Sequence, residues 1–483
     1  MIFRRSLATL TSTLTPTVRQ LLAPGTPSSP NSIQVNGWVK SVRRQKRVAF
    51  AVITDGSSTE GLQAVFTDVA LANDLAKGCA VRLTGVLADS IGPGQAKELQ
   101  VQAVDVVGEC NPEEYPVNKR EMTVEYLRDH CHLRTRTDEM AAVMRLRDSM
   151  TRTMQDYFTN LGFTYAHTPL VVSNDCEDAG ETFRVLAPSE GISASPAKEA
   201  SPSPATERDD EKHPEHFFGR PAYLTVSSQL HLEALATSLS RVYTISPCFR
   251  AERSQTGRHL SEFWMLEAEW AFTNKVDDVC QVVEGAVRQA LLRGGTELKL
   301  LRETLPEERL AVFERASAAQ PWTRITYTDA IRELEKIQST SKIFNYGPVW
   351  GQPLRSEHER WIAEQIVQGP TFVTDYPVEL KPFYMRLNDD GKTVACFDLL
   401  VPHLGELVGG SLREERMLYL RKALKRDQLD AASYDWYLDL RRYGGAPHGG
   451  FGLGFERLVS WITGVENVRE CIPMPRWAGR MLL

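Results

Sequence analysis

Five cations crowd one short stretch of the chain, Lys40, Arg43, Arg44, Lys46 and Arg47, and Phe50 follows closely. Positive charge attracts phosphate and an aromatic face stacks an unpaired base, so this grouping suits single-stranded nucleic acid. A solvated basic hairpin beside a core phenylalanine fits the same residues. Gln63, one strand-like stretch later, could read a base edge. A second group lies far downstream, where Arg250, Glu252, Arg258 and His259 fall within ten residues. Arg-x-Glu alone is common surface chemistry. The glycines of GGFGLGFER, residues 449–457, lack both the dinucleotide spacing and the Lys-Ser/Thr of a phosphate loop. The eight cysteines stand singly with no CxxC pair, which suits a reducing compartment.

These residues need a scaffold. From Ile33 to Val107 five strand-like segments are broken by Gly, Asp and Ser turns, with one short helical candidate near Val69 to Lys77. That pattern predicts a small barrel of the oligonucleotide-binding type. Asn111 to Thr137, with Pro112 and Pro116, reads as a linker. From Asp138 an apolar stripe through Met140, Val143, Met150 and Phe158 predicts a helix ending at Asn160. Ala187 to His216 takes half of its 30 residues from Ala, Ser and Pro and reads as a surface insertion without a core. Its flanks should then meet as neighbouring strands. Strand-like and helical stretches alternate beyond it, so the large domain mixes strands and helices.

At 483 residues the chain has room for two to four domains. Its 42% hydrophobic and 24% charged residues exclude fibrous and fully disordered classes, and no apolar run is long enough to span lipid. A net charge of −6 excludes a blanket polycation but not a local basic site. No acidic residue occurs before Asp55, while Arg4, Arg5 and Arg19 sit among hydroxyl and apolar residues. Residues 1–30 therefore read as an organellar presequence that takes no part in the architecture, and a mitochondrial matrix location is expected. The domain expectation is 31–110 for the barrel, 111–137 for a hinge and 138–483 for the large domain, with the insertion at 187–216.

Three stretches together resemble the signature motifs of class II aminoacyl-tRNA synthetases of the aspartyl-like subgroup, and among these the asparaginyl family. They are the helix through Asn160 with the strand near Pro169, FRAERSQTGRHLSEFWMLEAEWAF from Phe249, and GGFGLGFERLVSWITGVENVRECIPMPR from Gly449. The stretches YLTVSSQLHLEAL, YPVELKPFYMR and GELVGGSLREER are similar in order and spacing. The resemblance implies an anticodon-binding barrel, a catalytic domain built on an antiparallel sheet flanked by helices, a homodimer, and two-step attachment of asparagine to tRNA(Asn) with ATP and Mg2+.

It also implies residue roles. Arg250 would hold the α-phosphate and the substrate carboxylate, and Glu252 the adenine amino group. Arg258 and His259 would meet the bent triphosphate, and Phe263 and Arg457 would sandwich the adenine. Glu406 would hold the metal, with Ser411 and Asp398 nearby. For the amino acid, Glu181, Ser228 and Gln229 would surround the amino group, while Arg413 would donate to the side-chain carbonyl and Glu267 accept from its amide. Leu232 stands where aspartyl relatives carry a lysine. In the barrel, Phe50 would stack the middle anticodon base and Gln63 read an edge, with Arg43 and Lys46 on the phosphates. No side-chain nucleophile is needed, because the substrate carboxylate and the terminal ribose hydroxyl do the attacking. An aspartyl or nondiscriminating synthetase, and a noncatalytic tRNA-binding relative, are the alternatives.

Overall fold

Side chains that alternate between two environments build the first five strands of the chain. The computed structural model describes residues 14–28, 30–92, 94–118, 122–173, 182–187 and 216–483. After a single helical turn, α1 (Val18–Leu21), come β1 (Ser32–Arg44), β2 (Ala49–Thr54), β3 (Leu62–Phe66), β4 (Ala80–Asp89) and β5 (Lys97–Gly108). They close a barrel in the order β1-β2-β3-β5-β4. In β2, Ala49, Ala51 and Ile53 are buried while Phe50, Val52 and Thr54 are only half-buried, as a strand with one face on a core requires. This unit extends to Arg145 and takes in Thr296–Leu301.

The barrel corrects one expectation. Residues 1–30 do not all stay outside the architecture, because Val18 and Leu21 are buried in the barrel core beside Val35 and Ile53. Thr17 caps the turn, and the Val18 and Arg19 amides donate to Asp55 Oδ2 at 2.8 Å and Ser57 Oγ at 3.0 Å. Burying each of those aliphatic side chains stabilises the fold by about 1.5–3 kcal/mol. Within the expected hinge the described residues include a helix, α2 (Val124–Asp129), capped by Thr123.

The second unit comprises Leu146–Gly295 and Arg302–Leu483. The predicted helix is α3 (Asp138–Asn160). Then follow β6 (Thr164–Tyr165), β7 (Val171–Val172), β8 (Arg184–Val185), β9 (Ala222–Leu224), α4 (Gln229–Leu239), β10 (Arg241–Phe249) and β11 (Glu262–Ala271). Next are α5 (Val276–Leu291), α6 (Gly295–Arg302), whose residues Thr296–Leu301 count with the first unit, α7 (Glu307–Ser317), β12 (Thr323–Thr326), α8 (Tyr327–Ser341), α9 (Ser356–Trp361), β13 (Thr371–Thr374), β14 (Cys396–Val401) and β15 (Gly405–Leu412). The chain ends with α10 (Met417–Arg426), α11 (Asp435–Arg442), β16 (His448–Gly454) and α12 (Phe455–Thr463).

Eight of these strands form one sheet in the order β12-β13-β14-β15-β16-β11-β10-β6. It is antiparallel except where β12 meets β13 and β10 meets β6. The amphipathic α5 buries Val279, Val283 and Val287 and packs on β14, β15 and β16, while α4 packs on β10, β11 and β16. Flanking the insertion, β8 and β9 pair as neighbouring strands in a small second sheet. The chain is thus an α+β protein with a five-stranded barrel ahead of an antiparallel sheet flanked by helices. No helix among the described residues is long and apolar enough to cross a membrane.

Candidate active site

The central strands β10, β11, β15 and β16 carry the charged residues to one place. β10 ends at Phe249, and the next residue, Arg250, is fixed by its amide donating to the Ser261 carbonyl at 3.0 Å. The hairpin loop to β11 then delivers Arg258 and His259, while Gly454 hands the chain from β16 to α12 and so places Arg457. Arg250, Glu252, Arg258, His259, Phe263, Glu406 and Arg457 all line one cavity. Arg250 and Arg457, 207 positions apart in sequence by subtraction of their numbers, are brought together by the β11–β16 pairing.

Each group in this cavity is held. The Arg250 guanidinium lies over the Phe263 ring, 5.4 Å from its centre. His259 Nε2 is 3.3 Å from Glu252 Oε2, and its Nδ1 lies 2.6 Å from Thr256 Oγ1. Burial holds the His259 imidazole below its ordinary range, and although Glu252 opposes this, Arg457, Arg258 and Arg250 reinforce it. Arg258 donates to Ser356 Oγ at 2.7 Å and lies 3.7 Å from Glu359 Oε2. Its Nε is buried without a hydrogen-bond partner among the described residues, a donor suited to an incoming anion. Burial opposes charge on Glu406, but Arg457, Lys381, Arg250 and Arg258 outweigh it and hold that carboxyl below its ordinary range.

A second cavity adjoins the first, and Arg250, Met265, Glu406 and Gly452 line both. Its remaining wall includes Gln229, Leu232, Glu267, Glu269, Lys381 and Arg413. Glu267 is anchored by Ser227 Oγ at 2.5 Å and by the Ser228 amide at 2.9 Å. Here the expectation for Ser228 is corrected. Its hydroxyl is fully buried against Thr168 and Ser246, and Ser227 faces the cavity in its place. Glu181 lies outside the described residues.

Arg413 is less open than expected. Its Nε and Nη2 embrace Glu269, with Nη2 2.9 Å from Oε2, and its Nη1 donates to Ser411 Oγ at 2.6 Å. Two of its five N–H groups are not spent on these contacts. Glu269 comes this close because Gly450 faces it across the sheet; a Cβ there would lie 2.1 Å from Glu269 Oε2. Gly450 thus makes room for a carboxylate.

Asp398 is tied to Lys381 by two contacts of 2.8 Å. Burial opposes the Lys381 charge, yet Asp398 outweighs it and holds the ammonium above its ordinary range. Burial likewise drives the Asp398 carboxyl upward, and Lys381 draws it back. Glu406, whose contact with Arg457 is the longer at 3.7 Å, is the carboxylate better placed to share a hard divalent ion with phosphate oxygens, since Asp398 is held at 2.8 Å by Lys381.

Sequence reasoning missed Ser227, Glu269 and Lys381. Glu269 had a signal: it is two residues from Glu267, and alternation in a strand puts both on one face.

In the barrel, cross-strand pairing sets Phe50 opposite Arg43, and Gln63 opposite Val52. Phe50, Arg43 and Gln63 therefore share the outer face, and exposed Lys46 lies in the β1–β2 turn. Gln63 Nε2 is 3.4 Å from Glu98 Oε2, an acid on β5 that sequence reasoning did not single out. Arg44 leaves the basic group, because its guanidinium donates to the carbonyls of Ala72, Asn73 and Leu75.

Residues 123–478 match the family described as tRNA synthetases class II (D, K and N), and residues 33–107 match an OB-fold nucleic acid binding domain. An asparagine–tRNA ligase of Thermosynechococcus vestitus is 42% identical over 456 residues, 92% of this chain and 96% of the relative. Among solved structures, an asparaginyl-tRNA synthetase of Pyrococcus horikoshii complexed with asparaginyl-adenylate superposes with a TM-score of 0.81 at 28% identity, covering 97% of this chain and all of that one. One of Entamoeba histolytica, also with asparaginyl-adenylate, gives a TM-score of 0.77 at 26% identity over 94% of this chain and 96% of that one. With a nucleic-acid-binding barrel ahead of a class II catalytic unit, and near full-length identity above 40%, the chain belongs to the asparaginyl-tRNA synthetase family.

Proposed function

We infer that this chain activates asparagine with ATP and transfers it to tRNA(Asn), with the residues of the two adjoining cavities in the following roles. The observation that carries the assignment is the shared wall: Arg250 and Glu406 line both cavities. Attack of an amino-acid carboxylate on the α-phosphate needs such a junction, with nucleotide on one side and side chain on the other. Arg250 neutralises charge building on the α-phosphate and orients the attacking carboxylate, worth about 10²–10³ in rate for a preorganised donor. Phe263 and Arg457 hold the adenine, and Glu252 accepts from its amino group. Arg258 and His259 receive the departing pyrophosphate. Glu406 would hold Mg2+, which when bound supplies Lewis-acid stabilisation of the phosphate charge.

In the second cavity, Gln229 meets the amino group, Arg413 donates to the side-chain carbonyl and Glu267 accepts from the amide. An amide can satisfy both, whereas a carboxylate is repelled by Glu267; such polar mismatch is worth roughly 10²–10⁴ in selectivity. Leu232 supplies no cation to offset that repulsion. Phe50 and Gln63 read the anticodon, assisted by Arg43 and Lys46 on the phosphates. The test is ATP–pyrophosphate exchange measured separately with asparagine and aspartate. Exchange with asparagine alone supports the reading, a comparable aspartate rate replaces it by a nondiscriminating enzyme, and tRNA binding without exchange replaces it by a noncatalytic relative.

We further propose a mitochondrial matrix enzyme that works as a homodimer. The acid-free, arginine-bearing start of the chain favours the location. Because Val18 and Leu21 fill the barrel, cleavage of a presequence falls upstream of Thr17. Sequencing the amino terminus of the mature protein from isolated mitochondria tests both points. The dimer draws support from β6, which lies at the edge of the eight-stranded sheet with Tyr165 exposed, and sedimentation in solution tests it.

A further inference from the structure

Behind the second cavity lies a carboxylate that sequence reasoning passed over. Glu233 is fully buried and does not line the cavity. It sits one helical turn after Gln229 on α4, so both side chains share one face. Gln229 Nε2 donates to Glu233 Oε1 at 3.1 Å, and the same oxygen is 3.8 Å from Arg413 Nε. The other oxygen accepts from Tyr437 at 2.6 Å and from Arg441 Nη2 at 2.9 Å, with His448 Nε2 at 3.1 Å. Two residues that face the amino acid, Gln229 and Arg413, therefore meet at a single buried carboxylate.

Two physical consequences follow. A carboxylate can only accept, so it fixes the Gln229 amide with its NH2 toward Glu233 and leaves its carbonyl as the group that can face a substrate ammonium. The cluster is also balanced in charge, with Arg413 and Arg441 set against Glu233 and Glu269. An amide side chain then meets no surplus positive charge that would reward a carboxylate. Glu233, Glu269 and His448 come close enough to resemble a metal site, but two guanidiniums already occupy the positive role there.

We propose that Glu233 is a positioning residue that sets the choice of asparagine over aspartate, by orienting Gln229 and by cancelling the positive charge that Arg413 and Arg441 would otherwise present to the side-chain pocket. This rests on the assignment of the second cavity to the amino acid. The test is Glu233→Gln in the full chain, assayed by ATP–pyrophosphate exchange with each amino acid, alongside the unaltered enzyme. Expected are a rise in KM for asparagine, an aspartate-to-asparagine ratio of kcat/KM raised at least tenfold, and a KM for ATP within twofold. Adding Arg441→Gln, which removes the surplus cation, should bring the ratio back toward its starting value.

A lowered melting temperature with an unchanged ratio and unchanged KM for asparagine would make Glu233 a structural residue only and overturn the proposal. Should Glu233→Gln not fold, Arg441→Gln alone decides the matter: it leaves surplus negative charge and must lower the aspartate ratio, and an unaltered ratio overturns the proposal. Failure of the unaltered enzyme to exchange with asparagine would instead count against the assignment of the cavity.

Discussion

Replacing Gly450 by alanine tests whether the selection pocket depends on the close approach of two strands. Gly450 on β16 faces Glu269 on β11 in the register of the central sheet. A Cβ there would lie 2.1 Å from Glu269 Oε2 and 2.2 Å from the Ala268 carbonyl oxygen. The carboxylate could swing aside, but the carbonyl belongs to a hydrogen-bonded strand and cannot, so the two strands must separate. Overpacking of this kind costs about 1–3 kcal/mol. If Glu269 also leaves Arg413, whose side chain is only 2% exposed, a buried cation loses its partner, which adds about 3–5 kcal/mol when complete. The two terms overlap, and a net loss of about 3 kcal/mol lowers the melting temperature by roughly 4 °C for a unit of about 330 residues, whose unfolding entropy is about 0.7 kcal/mol/K. The KM for asparagine should rise tenfold or more. Gly347→Ala is the control, because a Cβ there meets nothing within 4 Å. Thermal unfolding and asparagine-dependent exchange would refute the reasoning if Gly450→Ala behaved like that control.

Arg250→Ala should lower exchange by about 10²–10³ while tRNA affinity, measured by filter binding, stays within twofold; strong residual exchange rejects its role at the junction. Phe50→Ala should weaken tRNA charging by about 1–3 kcal/mol of lost stacking and leave tRNA-independent exchange nearly intact, and unchanged charging rejects the stacking surface. Glu359 carries a pH signature. Burial, then the nearby Glu406, pushes its carboxyl up to about 7, with Arg258 opposing. A carboxyl raised on folding favours the folded state below the unfolded value near 4.5 and loses that advantage as pH rises to about 7. Glu359→Gln should therefore match the unaltered protein in unfolding free energy at pH 4 and exceed it by up to about 3 kcal/mol at pH 8; a constant difference across that range contradicts the assignment.

The sequence made the scaffold legible where patterns are local. Short strand-like runs between Gly, Asp and Ser turns marked the barrel, and an apolar stripe marked α3. What it did not reveal depends on contacts between distant residues. Arg413 and Glu269 are separated by 144 positions, and only the β15–β16–β11 pairing shows that they are bound to each other. Gln229 and Glu233 were closer to legible, since a spacing of four on a helix aligns them, but nothing local shows Arg441 and Tyr437 arriving from α11. The turn at Val18 was missed for a different reason. Four residues carry no periodic signal, and the basic composition around them drew attention instead.

Charge distribution explains how one chain with a net charge of −6 can hold a polyphosphate and a neutral amide side by side. The first cavity is lined by Arg250, Arg258 and Arg457 against Glu252, Glu406 and Glu456. Glu456 is spent elsewhere, 2.7 Å from Arg147 and accepting from the Trp264 amide at 2.9 Å, and Glu252 is turned to His259. Positive charge is therefore in excess on the phosphate side. In the second cavity the cations away from the shared wall each have an acid, Lys381 with Asp398 and Arg413 with Glu269, while Glu267 adds a further negative charge and Arg250 stands at the junction. An anion gains in the first cavity and at the junction held by Arg250, and loses in the part of the second cavity lined by Glu267. Discrimination between the two ligands thus follows from which carboxylates are occupied and which are turned toward the opening, not from the number of charges in either wall.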